Sequence, residues 1–444
     1  MTQTTYLQYD SPWPVYAMDW CKSWPQGQIR PRTPFRLALG SYTEDYRNRL
    51  TIIGLQDERS LVDDELHGTG YNDFIVLAET NHGYPATRLQ WQPLSSTTFN
   101  WASKLSNAEL LATTGDALRI WDLTYEGEQK TTNFVGRHQS SSGYSLSQRV
   151  ALSGSKAPSS SSGPPLTSFS WNTVLPSHIV TSSIDTTCTV WDINVSSAIT
   201  QLIAHDREVY DVAWLPNSTD VFTSVGADGS LRLFDLRSLE HSTILYEAST
   251  VRAKENAKSA SPQPKPMSSP LLRIAFNPSD SHYIATFHAD CGDVQILDMR
   301  SPGAPVIEIK AHKAQVNAIG WGKQESMLAT VGMCIVMIII PNAKFVDDCV
   351  DIGDDSQVLV WDLSPQAVAS PRHLTTRLGS SPRPDSKRRT ITDPVLAYSA
   401  SSEINNLAWS PPIHSMNIPG TGTMLTGGEW LAVAAGKSVK ILKV

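Results

Sequence analysis

Gln201-Leu202-Ile203-Ala204-His205-Asp206-Arg207-Glu208-Val209-Tyr210-Asp211-Val212-Ala213-Trp214 opens a unit that continues through Val221-Phe222-Thr223-Ser224-Val225-Gly226-Ala227-Asp228-Gly229-Ser230-Leu231-Arg232-Leu233-Phe234-Asp235-Leu236-Arg237. Three apolar-alternating runs lie inside this stretch, separated by Pro216-Asn217-Ser218 and by Asp228-Gly229. Alternation of this kind predicts half-buried strands, and Asp-Gly marks a tight turn between them. A His opens the unit and an aromatic-Asp pair closes it. Short strands recurring at about forty residues with a His and a closing Trp-Asp are the signature of a propeller blade.

Working outward, the closing pair returns as Trp121-Asp122, Trp191-Asp192, Phe234-Asp235, Leu297-Asp298 and Trp361-Asp362. The aromatic of the first strand returns seven times, as Trp20, Trp91, Trp171, Trp214, Phe276, Trp321 and Trp409. The closing positions are unevenly spaced, but removing residues 139–163, 249–269 and 333–353 leaves intervals of 45, 43, 42 and 43. That regularity predicts an all-β, seven-bladed propeller filling residues 1–444 as one domain, because a single four-stranded unit cannot bury both of its faces. The chain ends on Ser438 to Lys443, a third strand with no fourth, and residues 4–9 are β-prone. The N-terminal run is therefore expected to supply the missing outer strand of blade seven and close the ring.

The three excised segments and residues 365–393 read as inserts. Residues 139–163 hold 11 Ser in 25 positions, too little apolar surface to order a segment, so a mobile loop is expected there. Residues 249–269 read the same way. Residues 365–393 contain Ser370-Pro371, Ser381-Pro382 and Lys387-Arg388-Arg389, read either as a solvated linker or as phosphosites beside a nuclear-import signal. The segment 333–353 differs: Met333 to Ile340 is an apolar run where a short turn belongs, an aggregation hazard if exposed. It reads as a translated intron, since Gly332-Met333-Cys334 can be encoded around a GTATGT splice donor; the alternative is an insertion that docks a partner. Sequencing the mature transcript decides between them.

Composition narrows the function. A net charge of −7 without a basic field argues against direct nucleic-acid binding. No apolar run reaches membrane-span length, and Met1 to Trp13 lacks the charged and apolar regions of a secretory signal. Cys21, Cys188, Cys291, Cys334 and Cys349 lack metal-like spacing and read as reduced thiols, pointing to a cytoplasmic and nuclear protein. No nucleotide-binding, zinc-hydrolase or nucleophile-elbow motif is present, so neither enzyme activity nor a cofactor is expected. His205 and His312 stand just before blades, where they are expected to hold the turn aspartates Asp228 and Asp355. Thr223 or Ser224 would complete the network in blade four, and Thr330 with Trp361 in blade six.

Several segments carry a more specific likeness. Ser11 to Trp20, Ser182 to Trp191, Gln201 to Asp211, Ser224 to Tyr246 and Glu403-Ile404-Asn405-Asn406 together resemble the WD-repeat proteins of the Transparent Testa Glabra and anthocyanin-regulator family and their animal counterparts, the cullin-four ubiquitin-ligase associated factors. The resemblance implies a non-catalytic scaffold for Myb and helix-loop-helix transcription regulators or for protein kinases. It also implies that Asp235-Leu236-Arg237 and Asp298-Met299-Arg300 are the paired Asp-x-Arg boxes that ligase receptors present to their adaptor. An Arg fork suits such docking, although both arginines could equally bond their own neighbours. On the loop face, Asp185, Thr186, Arg207, Glu208, Asp228, Lys313 and Glu403 flank blade turns and are candidate partner contacts, or ordinary solvated turn residues.

Overall fold

The computed structural model describes residues 6–22, 35–55, 73–93, 108–125, 143–153, 163–248, 269–322, 327–332, 356–363, 389–411, 416–417, 424–425 and 428–444. Every regular element among them is a strand. Each blade is built on four antiparallel strands, the first of which lies at the axis. Those seven strands are Val15–Trp20, Arg88–Trp91, Leu166–Trp171, Val209–Trp214, Leu271–Phe276, Val316–Trp321 and Ile404–Trp409. Each packs against the first strand on either side, and Val15–Trp20 packs against Ile404–Trp409, so the ring is closed.

The N-terminus closes it as the sequence predicts. Tyr6–Asp10 pairs antiparallel with Ser438–Lys443, Leu7 opposite Ile441 and Tyr9 opposite Val439, and forms the outer strand of blade seven.

Alternation along the strands explains where the core sits. Blade four's first strand buries Val209, Asp211, Val212 and Trp214 and half-exposes Tyr210 and Ala213. The described core falls into seven clusters, one in each seam between neighbouring blades. Blades three and four, for example, share Val180, Val190, Val212, Trp214 and Phe222. The hydrophobic driving force therefore acts between repeats and requires the closed ring.

The repeated first-strand tryptophans do more than fill these seams. Trp20, Trp91, Trp214, Trp321 and Trp409 each donate the indole N–H to a carbonyl on the first strand of the preceding blade, namely Ala408, Asp19, Ser170, Ala275 and Gly320, at 2.8–3.1 Å. Phe276 has no such donor, and Trp171 donates instead to Pro176 in its own blade at 2.8 Å. Replacing Trp214 or Trp409 by Phe keeps most of the ring but takes the indole donor from a part-buried carbonyl. Each is expected to lower stability by about 1–2 kcal/mol in urea unfolding. An unchanged midpoint in both variants would contradict the role of the indole bond.

Two of the expected loops contain strands. Tyr144–Leu152, inside 139–163, is the outer strand of blade two, paired with Leu118–Tyr125. Its serines face outward while Leu146 and Leu152 are buried, so two anchors and a backbone ladder order a segment that composition assigns to solvent. Arg389–Ile391, inside 365–393, pairs in parallel with Pro305–Lys310 and adds a fifth strand to blade five, with Ile391 buried beside Ile309. The outer strand of blade one is Phe74–His82, longer than the Asp73 to Ala78 run expected from sequence. Of residues 249–269 only Ser269 is described, and 333–353 lies wholly outside the described residues. In blade six Val331 pairs with Val358 as Val225 pairs with Leu231 in blade four, so the ladder keeps the register that Gly226 to Ser230 alone spans there.

Candidate protein-binding surfaces

Antiparallel blades sort their connections by face. Turns between second and third strands share one face with the links between blades. Turns between third and fourth strands share the other. Asp185, Thr186 and Asp228 lie in turns of the first kind, and Arg207, Glu208, Lys313 and Glu403 in the links, so all seven candidates stand on one face. Arg237 and Arg300 lie on the opposite face, in the corresponding turns of neighbouring blades four and five.

On the first face, His205 is the organising residue. It is 1 % exposed. Its Nδ1 lies 3.0 Å from Asp228 Oδ1 and 3.1 Å from Ser230 Oγ, and its Nε2 lies 2.7 Å from Ser224 Oγ. Ser224, not Thr223, therefore completes the blade-four network. Asp228 also accepts from Ser230 N at 3.0 Å and from Arg232 Nη2 at 3.0 Å, and Arg232 reaches Asp206 at 2.9 Å. Gly229, with φ of 74°, permits the turn. In blade three Thr186 occupies the matching place at φ 73°, a strained position for a β-branched residue. Its carbonyl is held by Ala204 N at 2.9 Å and His205 N at 3.3 Å.

Burial pushes the Asp228 carboxyl up, but hydrogen bonds from His205 and Ser230 outweigh it and hold the group below the usual carboxylate range. The folded value thus lies below the unfolded one, near about 3.9. This contribution to stability is complete above that pH and is lost as pH falls below it. Asp228→Asn is therefore expected to lose less urea resistance than wild type between about pH 5 and about pH 3. Equal losses in the two proteins would show that the carboxylate does not carry the effect.

Related networks recur elsewhere. In blade six His312 Nε2 lies 2.9 Å from Thr330 Oγ1, which also accepts Trp361 Nε1 at 3.0 Å; Asp355 lies outside the described residues. Blade two holds one that sequence reasoning missed. His82 Nε2 lies 3.0 Å from Thr113 Oγ1, and Trp121 Nε1 donates to the same oxygen at 2.9 Å. Burial, with Arg119 nearby, holds His82 below its ordinary pKa. The signal was available: Thr113, Thr181, Ser224 and Thr330 occupy one repeat position. Blade five keeps Thr286 there, but Leu297 replaces the tryptophan and the buried Thr286 hydroxyl has no hydrogen-bond partner among the described residues.

The opposite face carries two matching clamps. Arg237 Nε and Nη2 donate to Asp235 Oδ1 and Oδ2 at 2.9 and 2.6 Å, and Arg237 N donates to Oδ1 at 3.0 Å. Arg300 repeats this on Asp298 at 2.9, 2.8 and 2.9 Å. Arg300 also donates to Tyr283 Oη at 3.2 Å, with its guanidinium 5.4 Å from that ring's centroid. The Arg237 hydrogen bond holds the Asp235 carboxyl down to about 2. The Arg side chains remain 69 % and 52 % exposed, and both clamps use Nε and Nη2, leaving Nη1 for another acceptor. Phe234 and Leu297, where the box usually has Trp, are buried and fill their seams; Phe234 stacks on Phe222 at 5.1 Å. The departures from Trp therefore alter the core, not the exposed guanidinium.

At the axis lies a polar cavity of about 200 Å³ lined from all seven first strands. Asp211, 1 % exposed, is its hub. Its Oδ1 accepts from Arg88 of blade two and Ser168 of blade three, both at 2.6 Å, and its Oδ2 accepts Ile274 N of blade five at 2.9 Å. Among the described residues no three His, Cys, Asp or Glu side chains are grouped to hold a metal ion.

A model of the WD domain, G-beta repeat, matches residues 196–235, the repeat that contains His205, Asp228 and the closing Phe234-Asp235. The fold and its His–Asp and Thr–Trp networks thus define a WD-repeat β-propeller. Curated relatives extend the match over the whole chain. The DDB1- and CUL4-associated factor 7 homolog of Dictyostelium discoideum is 37% identical over 100% of both chains. A WD repeat-containing protein of Schizosaccharomyces pombe is 35% identical over 99% of this chain and 90% of its own, and one of Saccharomyces cerevisiae 32% over 100% and 77%. The chain belongs to the WD-repeat family of DDB1- and CUL4-associated factor 7 homologues.

Proposed function

We propose that the protein is a non-catalytic scaffold that docks onto the adaptor of a cullin-RING ubiquitin ligase through Arg237 and Arg300 and holds protein partners on its other face. The observation carrying this reading is the repetition of one Asp–Arg clamp, with the same bonds, at matching turns of adjacent blades. Surface ion pairs are worth little to stability, so two exposed copies of one geometry are better explained by recognition. Each clamp also fixes a long side chain before contact, which lowers the entropy lost on docking. The name of the Dictyostelium relative points to the same association.

Partners on the loop face are drawn from the classes the sequence likeness implies, protein kinases and Myb or helix-loop-helix transcription regulators of the Transparent Testa Glabra type. The turn residues Asp185, Arg207, Glu208 and Lys313 would meet them, in cytoplasm and nucleus.

Affinity purification of the tagged protein with mass spectrometry tests the proposal. Wild type is expected to recover adaptor and cullin. Arg237→Ala with Arg300→Ala should lose both, with a stability change within about 0.5 kcal/mol because neither side chain is buried. Undiminished recovery by the double variant would overturn the docking reading.

A further inference from the structure

We infer that the axial cavity receives a carboxylate side chain from an extended segment of a partner protein, with Arg273 as its principal ligand. The inference rests on the scaffold reading above and gives it a second contact, on charge chemistry of its own.

Charged groups taken out of water need partners. The two carboxylates of the cavity have them: Asp211 as described, and Asp19, which accepts Trp91 N at 2.8 Å and lies 3.2 Å from Lys22 Nζ. Arg88 is matched by Asp211. Arg273 has no carboxylate partner among the described residues. It is half-buried on the first strand of blade five, and its one side-chain hydrogen bond among the described residues is from Nη2 to Tyr16 Oη at 3.3 Å. Among the described residues, Lys22, Arg88 and Arg273 against Asp19 and Asp211 leave the cavity one positive charge in excess. That balance fits a monoanion. A phosphate dianion would overshoot it, and a neutral group would leave the guanidinium unpaired.

The surroundings favour a side chain on a peptide over a free ion. Tyr16, which meets Arg273, lies 6.1 Å ring to ring from Tyr42, 55 % exposed at the start of the turn Tyr42 to Arg47. In the same turn Tyr46, 78 % exposed, meets Tyr84 of the next link edge-on at 5.6 Å. Exposed tyrosines supply large contact area at low entropy cost and concentrate where proteins bind. They run from the unmatched guanidinium out over blades one and two, a path for residues flanking an acidic side chain.

Immobilised degenerate peptide libraries provide the test, with Glu, Gln or phosphoserine fixed at the centre and no other acidic residue. Wild-type protein is expected to be retained about tenfold better on Glu than on Gln, the ratio one charge-assisted hydrogen bond supplies, and no better on phosphoserine than on Glu. Arg273→Met should erase the Glu preference at an unchanged melting temperature, and Arg273→Lys should keep part of it. Tyr42→Ala with Tyr84→Ala should lower retention on both libraries and leave their ratio alone. Equal retention on Glu and Gln, a Glu preference that survives Arg273→Met, or a preference for phosphoserine would each overturn the inference. Adaptor recovery should not change in Arg273→Met, so this result and the Arg237/Arg300 result fail independently.

Discussion

Replacing Leu7 and Tyr9 together by alanine should cost about 5 kcal/mol or more of folding stability, the largest effect expected of any pair of exchanges this near a terminus. Both side chains lie in the seam between blades seven and one, 5 % and 4 % exposed, beside Trp20, Phe35 and Trp430. A buried Leu→Ala change costs about 2–5 kcal/mol and a buried aromatic about 3–5. The strand also closes the ring, so its loss exposes the ladder edge of Ser438–Lys443 and opens a seam on which blade one depends. Urea unfolding followed by tryptophan fluorescence checks this. Tyr6→Ala, at a position 52 % exposed, is the control and should shift the midpoint little. A double variant as stable as that control would mean that the ring does not close through this strand. Tyr9 adds a pH signature. Burial, with Glu79 adding to it, pushes its phenol up to about 12, above the unfolded value near 10. The unfolded chain therefore loses this proton first. Stability is complete below about pH 10 and declines as pH rises toward about 12, a decline that Tyr9→Phe should reduce.

The second large effect is expected at the axis. Asp211→Ala removes the acceptor that binds groups from blades two, three and five, and leaves the Arg88 guanidinium and the buried Ile274 N–H unmatched. Asp211 is buried but the Arg88 side chain is 35 % exposed, so the loss should fall below that of a fully buried pair, at about 2–3 kcal/mol with the unmatched Ile274 N–H included. Arg88→Ala added to Asp211→Ala should therefore restore part of the loss, and the double variant should be more stable than the sum of the singles. Strictly additive losses, or an Asp211→Ala variant within about 1 kcal/mol of wild type, would show that the hub is not coupled across blades.

Asp211 also shows what the sequence could and could not reveal. It stands in the stretch from which the fold was read, yet nothing local distinguishes it from a solvated strand residue. Its role arises from Arg88, Ser168 and Ile274, which only ring closure brings near. The Arg36–Glu109 pair, bidentate and spanning blades one and two with Arg36 2 % exposed, was hidden for the same reason. Features with a local period were legible: the first-strand tryptophans, the closing aromatic-Asp pairs, the His205–Asp228 spacing and the two Asp-x-Arg boxes. Tyr144–Leu152 and Arg389–Ile391 escaped because outer strands are held mainly by backbone pairing along one edge. A serine-rich or basic sequence can satisfy that pairing with one or two buried anchors.

Docking through Arg237 and Arg300 is measured most directly by calorimetric titration of the purified protein with the purified cullin-four ligase adaptor, in wild type, each single Arg→Ala variant and the double. Each arginine truncated at a desolvated contact is expected to cost about tenfold or more in affinity, and the double variant about 100-fold or more. Binding that is equally tight in wild type and the double variant, with both proteins folded, would show that the two arginines do not dock the adaptor.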